Sequence, residues 1–107
     1  MTSHLRKRVD SFQEAGRQLG IVINYTPTVQ DSMVILQDEE KSKVIALFDV
    51  SEAHDSKNGS GFRTFKINTN KWQWAEQEGF SVQEMYEKLG HSVFEPISED
   101  AVLAYLS

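Results

Sequence analysis

The sequence predicts one α+β domain over residues 1–107: a helix first, then an antiparallel sheet of four or five strands, then two helices. Three observations carry this. Apolar residues recur at helical spacing only near the two ends of the chain. Between them lie short runs rich in β-branched and aromatic residues, divided by polar or Gly, Asn and Pro breaks. The runs follow one another without helical patterns in between, an order that suits an antiparallel sheet with one covered face better than βαβ units.

The opening segment sets Leu5, Val9, Phe12, Gly16 and Leu19 at spacings of four and three, one face of an amphipathic helix. Thr2 or Ser3 suits its start and Gly20 its end. Ile21 to Tyr25 reads as a strand ended by Pro27. Ser32–Asp38 and Lys43–Val50 are the next two, joined by the polar stretch 39–42 in a hairpin. In the third strand both alternating sets are apolar, Val44, Ala46, Phe48 and Val50 against Ile45 and Leu47. Such a strand is central or covered twice, and a dimer interface or a partner is a natural second cover. Residues 51–61 carry Asp, Ser, Lys, Asn and Gly in succession and read as a surface loop. Phe62–Asn68 is a fourth strand. Lys71–Gln77 reads as a short strand or a helical turn, and Trp72 and Trp74, two positions apart, favour the strand.

Ser81 and Glu84 form a capping box, flanked by Phe80 and Met85 at hydrophobic-staple positions. Val82, Met85, Tyr86 and Leu89 give the inner face of this helix, which Gly90 ends. After a break at Glu95-Pro96, Ser98 stands before a last helix over 99–106. Acidic residues at both helix starts suit the positive end of the helix dipole.

Composition narrows the function. The chain of 107 residues has 39% hydrophobic residues, enough for one core. With no cysteine, a disulfide framework, a thiolate metal site and a cysteine nucleophile are excluded. Arg6, Lys7 and Arg8 near the start have no apolar run behind them, so no signal peptide is expected. The longest apolar run, Val44 to Phe48, is far short of a membrane span. A cytoplasmic protein with no membrane association is expected. The formal net charge is −5, unevenly placed: residues 57–75 hold Lys57, Arg63, Lys66 and Lys71 with no acid, between two acidic blocks.

No motif specifies a reaction, and the chain is read as non-catalytic, with no cofactor and no metal. His4, His54 and His91 lie far apart. Asp49, Glu52, His54 and Asp55 fit neither a calcium loop nor an HExxH pair, and an exposed acidic strand end explains them. Ser56 and Ser60 fall in the loop, Ser81 and Ser98 serve as caps, and there is no GxSxG. The glycines at 59 and 61 precede a strand, not a helix, so they form no phosphate-binding loop.

A small enzyme or enzyme subunit stays as one alternative without a positive signal, and two binding readings stand ahead of it. Lys57, Arg63, Lys66 and Lys71 interleave with Phe62, Phe65, Trp72 and Trp74, the combination that holds single-stranded nucleic acid. Against it, the order begins with a helix, unlike an RNA-recognition sheet. A double-stranded-RNA-binding domain needs lysines at its second helix, where Glu84 and Glu87 stand. The other reading, preferred here, is a protein-interaction module: a small regulator, adaptor, chaperone-like protein or inhibitor. Its partner-binding residues would be Trp72 and Trp74, with Arg63, Lys66 and Lys71 as an electrostatic site. The acidic final third offers a basic partner a negative surface. The opening, a helix ending Gly16-Arg17-Gln18-Leu19-Gly20 that feeds a run of strands, loosely resembles the secretion chaperones of type III systems over less than half the chain. That resemblance has no specific motif and assigns no family. It implies only that such a layout can serve a chaperone-like role, and it is compatible with a homodimer.

Overall fold

The computed structural model describes residues 3–28, 32–49 and 62–107. Helix α1 spans Ser3–Gln18, followed by strands β1 (Ile23–Thr28), β2 (Met33–Asp38), β3 (Val44–Asp49) and β4 (Phe62–Ile67). Helix α2 (Thr69–Gln77) and the short α3 (Val82–Glu84) come next, and α3 runs directly into a π-helical turn, Met85–Leu89. A 3₁₀ turn at Gly90–Ser92 leads into β5 (Phe94–Ile97), and α4 (Glu99–Leu106) closes the order. The five strands form one antiparallel sheet in the order β1-β2-β3-β4-β5. The α+β class and the sheet of five strands are as the sequence predicts.

Why the sheet sits where it does follows from β3. Its side chains alternate between two apolar sets, and each set has its own core. Ile45 and Leu47 join Leu5, Val9 and Phe12 of α1 and Val102 and Leu106 of α4 on one face. Val44 and Ala46 join Phe65, Ile67, Ala75, Met85 and Phe94 on the other. At about 1.5–3 kcal/mol for each large side chain removed from water, both faces gain by being covered. The expectation of a single covered face is therefore corrected. The second cover is supplied by the chain's own α2, α3 and π-helical turn, not by a dimer or a partner.

Three boundaries differ from the sequence reading. Lys71–Gln77 is helical, and the fifth strand is Phe94–Ile97, where Glu95-Pro96 had suggested only a break. Strand β1 starts two residues later than expected and runs through Pro27. For the strand that runs through Pro27 and the strand that contains Pro96 the physical reason is shared: these two prolines of the chain stand one in each edge strand. A proline that has no N–H to donate is tolerated there because that side of the strand has no neighbour. On β1, moreover, the Ile23 carbonyl accepts a hydrogen bond from Gln13 Nε2 at 3.0 Å. Both edges are thus blunted against pairing with another strand. Thr2 and the loop expected over 51–61 lie outside the described residues.

The helix ends are mostly as the sequence implies. Gly20, just past α1, takes a positive φ of +79°, a conformation that glycine adopts without steric cost. The capping box forms: Glu84 N–H donates to the Ser81 hydroxyl at 3.1 Å and Ser81 N–H donates to Glu84 Oε1 at 2.9 Å. Ser98 occupies the cap position of α4, but its side chain makes no capping bond. Instead α4 is fastened by the ion pair between Arg8 of α1 and Glu99.

Gly16 has the closest surroundings of the described glycines. The chain doubles back against it, with Ile21 N–H donating to the Gly16 carbonyl at 2.7 Å. A Cβ there would stand 2.9 Å from Ile23 Cδ1 and 3.1 Å from the Ile21 carbonyl oxygen. Alanine favours a helix over glycine by about 1 kcal/mol, whereas overpacking a filled core costs about 1–3 kcal/mol. Because Ile23 is buried and Ile21 presents backbone, the clash prevails. Gly16→Ala is expected to lower unfolding stability by about 1 kcal/mol in urea titration; an increase would mean that the corner relaxes freely.

Candidate functional site

Helix α2 forms because Asn68 caps it: the Asn68 side chain accepts from the Lys71 N–H at 3.0 Å. This corrects the reading of Trp72 and Trp74 as strand neighbours. Residues two apart on a helix point about 200° from each other, so the two indoles part company. Trp72 is half-buried against the second core and meets the Phe94 ring edge-on at 6.0 Å. Trp74 faces outward and is 42% exposed. The pattern of two tryptophans at that spacing fits a strand as well as a helix, and only the Asn68 cap discriminates.

Trp74 is held in place although it is exposed. Lys71 Nζ lies 4.3 Å above its ring centroid, a cation–π contact. Phe80 meets it edge-on at 5.9 Å and 79°. Phe80 is itself positioned by the turn before α3, where the Phe80 N–H donates to the Ala75 carbonyl at 2.9 Å and the capping box follows immediately. The Ser81 backbone N–H, then the Ser81 hydroxyl, hold the Glu84 carboxyl below its ordinary value. A depressed carboxyl stabilises the fold above its unfolded-state value and loses that contribution as pH falls through the folded one. The α2–α3 corner is therefore a pre-ordered aromatic projection at neutral pH, with the exposed Glu78 at the end of α2 beside it.

The remaining cations do not join it. Strand alternation places Arg63 and Lys66 on opposite faces of the sheet. Lys66 is drawn to β5, where its Nζ is 3.0 Å from a Glu95 oxygen and 5.4 Å from the centroid of Tyr105 on α4. The Lys66–Glu95 contact is a registered cross-strand pair. Arg63 lies on the side of Phe65. Of the basic aromatic strip read from the sequence, Lys57 lies outside the described residues and the rest is spread over two faces and a helix. Phe65 is buried, and Phe62 and Trp72 are half-buried, so they offer no open stacking platform.

A second feature has no counterpart in the sequence reading. At the end of β4 and β5 lies a cleft of about 900 Å³, floored by Phe65, Tyr86 and Phe94 and bordered by Arg63, His91 and Pro96. Its three floor rings pack edge-to-face, with centroids 5.5 to 6.0 Å apart. Tyr86 reaches it from the π-helical turn, and Gly90 ends that turn with φ +50°. Val82, Met85, Tyr86 and Leu89 read as an ordinary helix stripe, so nothing in their spacing announced the cleft.

No group of three or more His, Cys, Asp or Glu side chains that could hold a metal ion occurs among the described residues. Of the set Asp49, Glu52, His54 and Asp55 only Asp49 is described. Ser56, Ser60 and the glycines at 59 and 61 likewise lie outside the described residues. No helix of the described residues is long and apolar enough to cross a membrane. Neither a protein-family model, nor a curated protein, nor a solved structure matches this chain.

The separation of the two indoles is directly measurable. With Trp72→Phe, emission from the remaining Trp74 should be redder and more readily quenched by acrylamide than emission from Trp72 in the Trp74→Phe variant. Equal quenching of the two single-tryptophan proteins would contradict the helical assignment of 69–77.

Proposed function

We propose that this protein is a small non-catalytic protein-interaction module, a regulator, adaptor, chaperone-like protein or inhibitor, whose partner grips the α2–α3 corner. The observation that carries this reading is Trp74: a large aromatic left 42% exposed yet braced by Lys71 and Phe80. A fixed indole loses little side-chain freedom on binding, which is why tryptophan so often anchors an interface. Of the residues first considered, Trp74 and Lys71 form the anchor. Trp72 packs toward the second core, Lys66 is engaged by Glu95, and Arg63 belongs to the cleft. Glu78, one helical turn after Trp74, favours a partner with an apolar pocket and a basic rim. The blunted edges of the sheet favour recognition by side chains over strand addition. A cytoplasmic setting is consistent with the absence of cysteine.

Single-stranded nucleic-acid binding is the alternative, and dispersal of the basic strip weighs against it. The two readings part on capture of the tagged protein from its native lysate, with and without nuclease. A stoichiometric protein partner that survives nuclease is expected. Trp74→Ala should then weaken its binding by roughly 30-fold or more, the loss of an anchor residue, with the melting temperature unchanged. Recovery that requires intact nucleic acid, with affinity falling steeply in salt, would overturn the proposal.

A further inference from the structure

We propose that the cleft at the end of β4 and β5 is a binding site for a small amphipathic anion: an apolar chain or ring that carries one carboxylate. This goes beyond the interaction surface at Trp74 and uses different residues.

The cleft has the size and the lining of a ligand site. Its volume of about 900 Å³ falls within the ~300–1,000 Å³ common for small-molecule pockets, which are walled by apolar and aromatic groups with a few polar ones. Phe65 and Phe94 are fixed in the second core, and Tyr86 is half-buried beside them. Phe65 and Phe94 are covered by the fold itself, so a body in the cleft meets chiefly Tyr86 and the exposed Pro96. The π-helical turn supports the assignment independently: such turns are uncommon and recur at functional sites. Here it brings Tyr86 into the cleft and, through Gly90, sets His91 on the rim.

Charge gives the ligand its polarity. Arg63 shares the sheet face of Phe65, and its planar guanidinium has several N–H donors, so it can engage a carboxylate alongside the contacts it makes within the fold. His91, exposed on the same layer, adds a ring N–H. The acidic residues at the cleft, Glu99 and Asp100, belong to α4 on the opposite layer. Glu99 is held by Arg8. The acid head is therefore directed to Arg63 and His91, away from α4, with the apolar body over Tyr86 and Pro96.

The test is a fluorescence titration of the protein with dansyl-labelled undecanoic acid, and in parallel with the corresponding uncharged alcohol. Saturable binding of one equivalent of the acid is expected, tighter than the alcohol. Arg63→Gln should weaken the acid about tenfold or more, the size of one charge-assisted hydrogen bond, and leave the alcohol unchanged. His91→Trp, which fills the rim from an exposed position, should weaken both probes. Trp74→Ala should change neither, so failure of this site and failure of the Trp74 surface are told apart. Absence of saturable binding, equal affinity for acid and alcohol, or indifference to both Arg63→Gln and His91→Trp in proteins with unchanged circular dichroism would each overturn the proposal.

Discussion

The fold depends on one strand that is apolar on both sides. Val44, Ile45, Ala46 and Leu47 of β3 are all buried, and because successive side chains point to opposite faces, no single helical layer can cover them. A chain this short has to divide its helices. It spends α1 and α4 on the Ile45–Leu47 side and α2, α3 and the π-helical turn on the Val44–Ala46 side. The first and last helices then meet across the same face, and the Arg8–Glu99 pair ties them together. The inner helices, by contrast, sit on the other face of the sheet, and both features of interest arise there. One is the α2–α3 corner that carries Trp74. The other is the cleft that the π-helical turn leaves open at the end of β4 and β5.

A sheet covered on both faces meets the outside through its edges and its helices. The edges are closed to pairing: each contains a proline, and the β1 edge also has Gln13 on the Ile23 carbonyl. Strand addition is a common way for small β-containing proteins to recruit peptides, and also a common route to aggregation. This chain has set it aside. The helical layers present side chains instead: the Trp74 indole stands exposed at the α2–α3 corner, and Arg63 is among the residues that line the cleft at the end of β4 and β5.

The frame of the fold was legible in the sequence, and the site only in part. Alternation in β3, the 3–4 spacing of Leu5, Val9 and Phe12, and the Ser81–Glu84 box are local signals, and local physics fixes their outcome. The double apolar face of β3 even announced a second cover, although not that α2 and α3 would provide it. Trp72 and Trp74 were misread because their spacing is compatible with two periodicities, and the deciding signal, Asn68 as a cap, was read as the end of the fourth strand. Pro27 and Pro96 were read as breaks because proline's meaning in a strand depends on whether a neighbour lies on its N–H side, a tertiary fact. The same holds for the basic strip. Its cations are close in sequence, but strand alternation and the cross-strand pull of Glu95 on Lys66 separate them. The cleft needs a π-helical turn, for which the stripe Val82, Met85, Tyr86 and Leu89 gives no cue.

If β3 is the common floor of two cores, its amides should be the last to open. Native-state hydrogen exchange measures this directly. The account predicts that amides of Val44 to Leu47 exchange only through global unfolding, with an opening free energy equal to the unfolding free energy from denaturant titration. Both helical layers should lose protection at or below that value. Exchange of β3 at a clearly lower free energy than α1 or α4, so that one layer outlives the strand beneath it, would contradict the claim that the two-faced strand organises the fold.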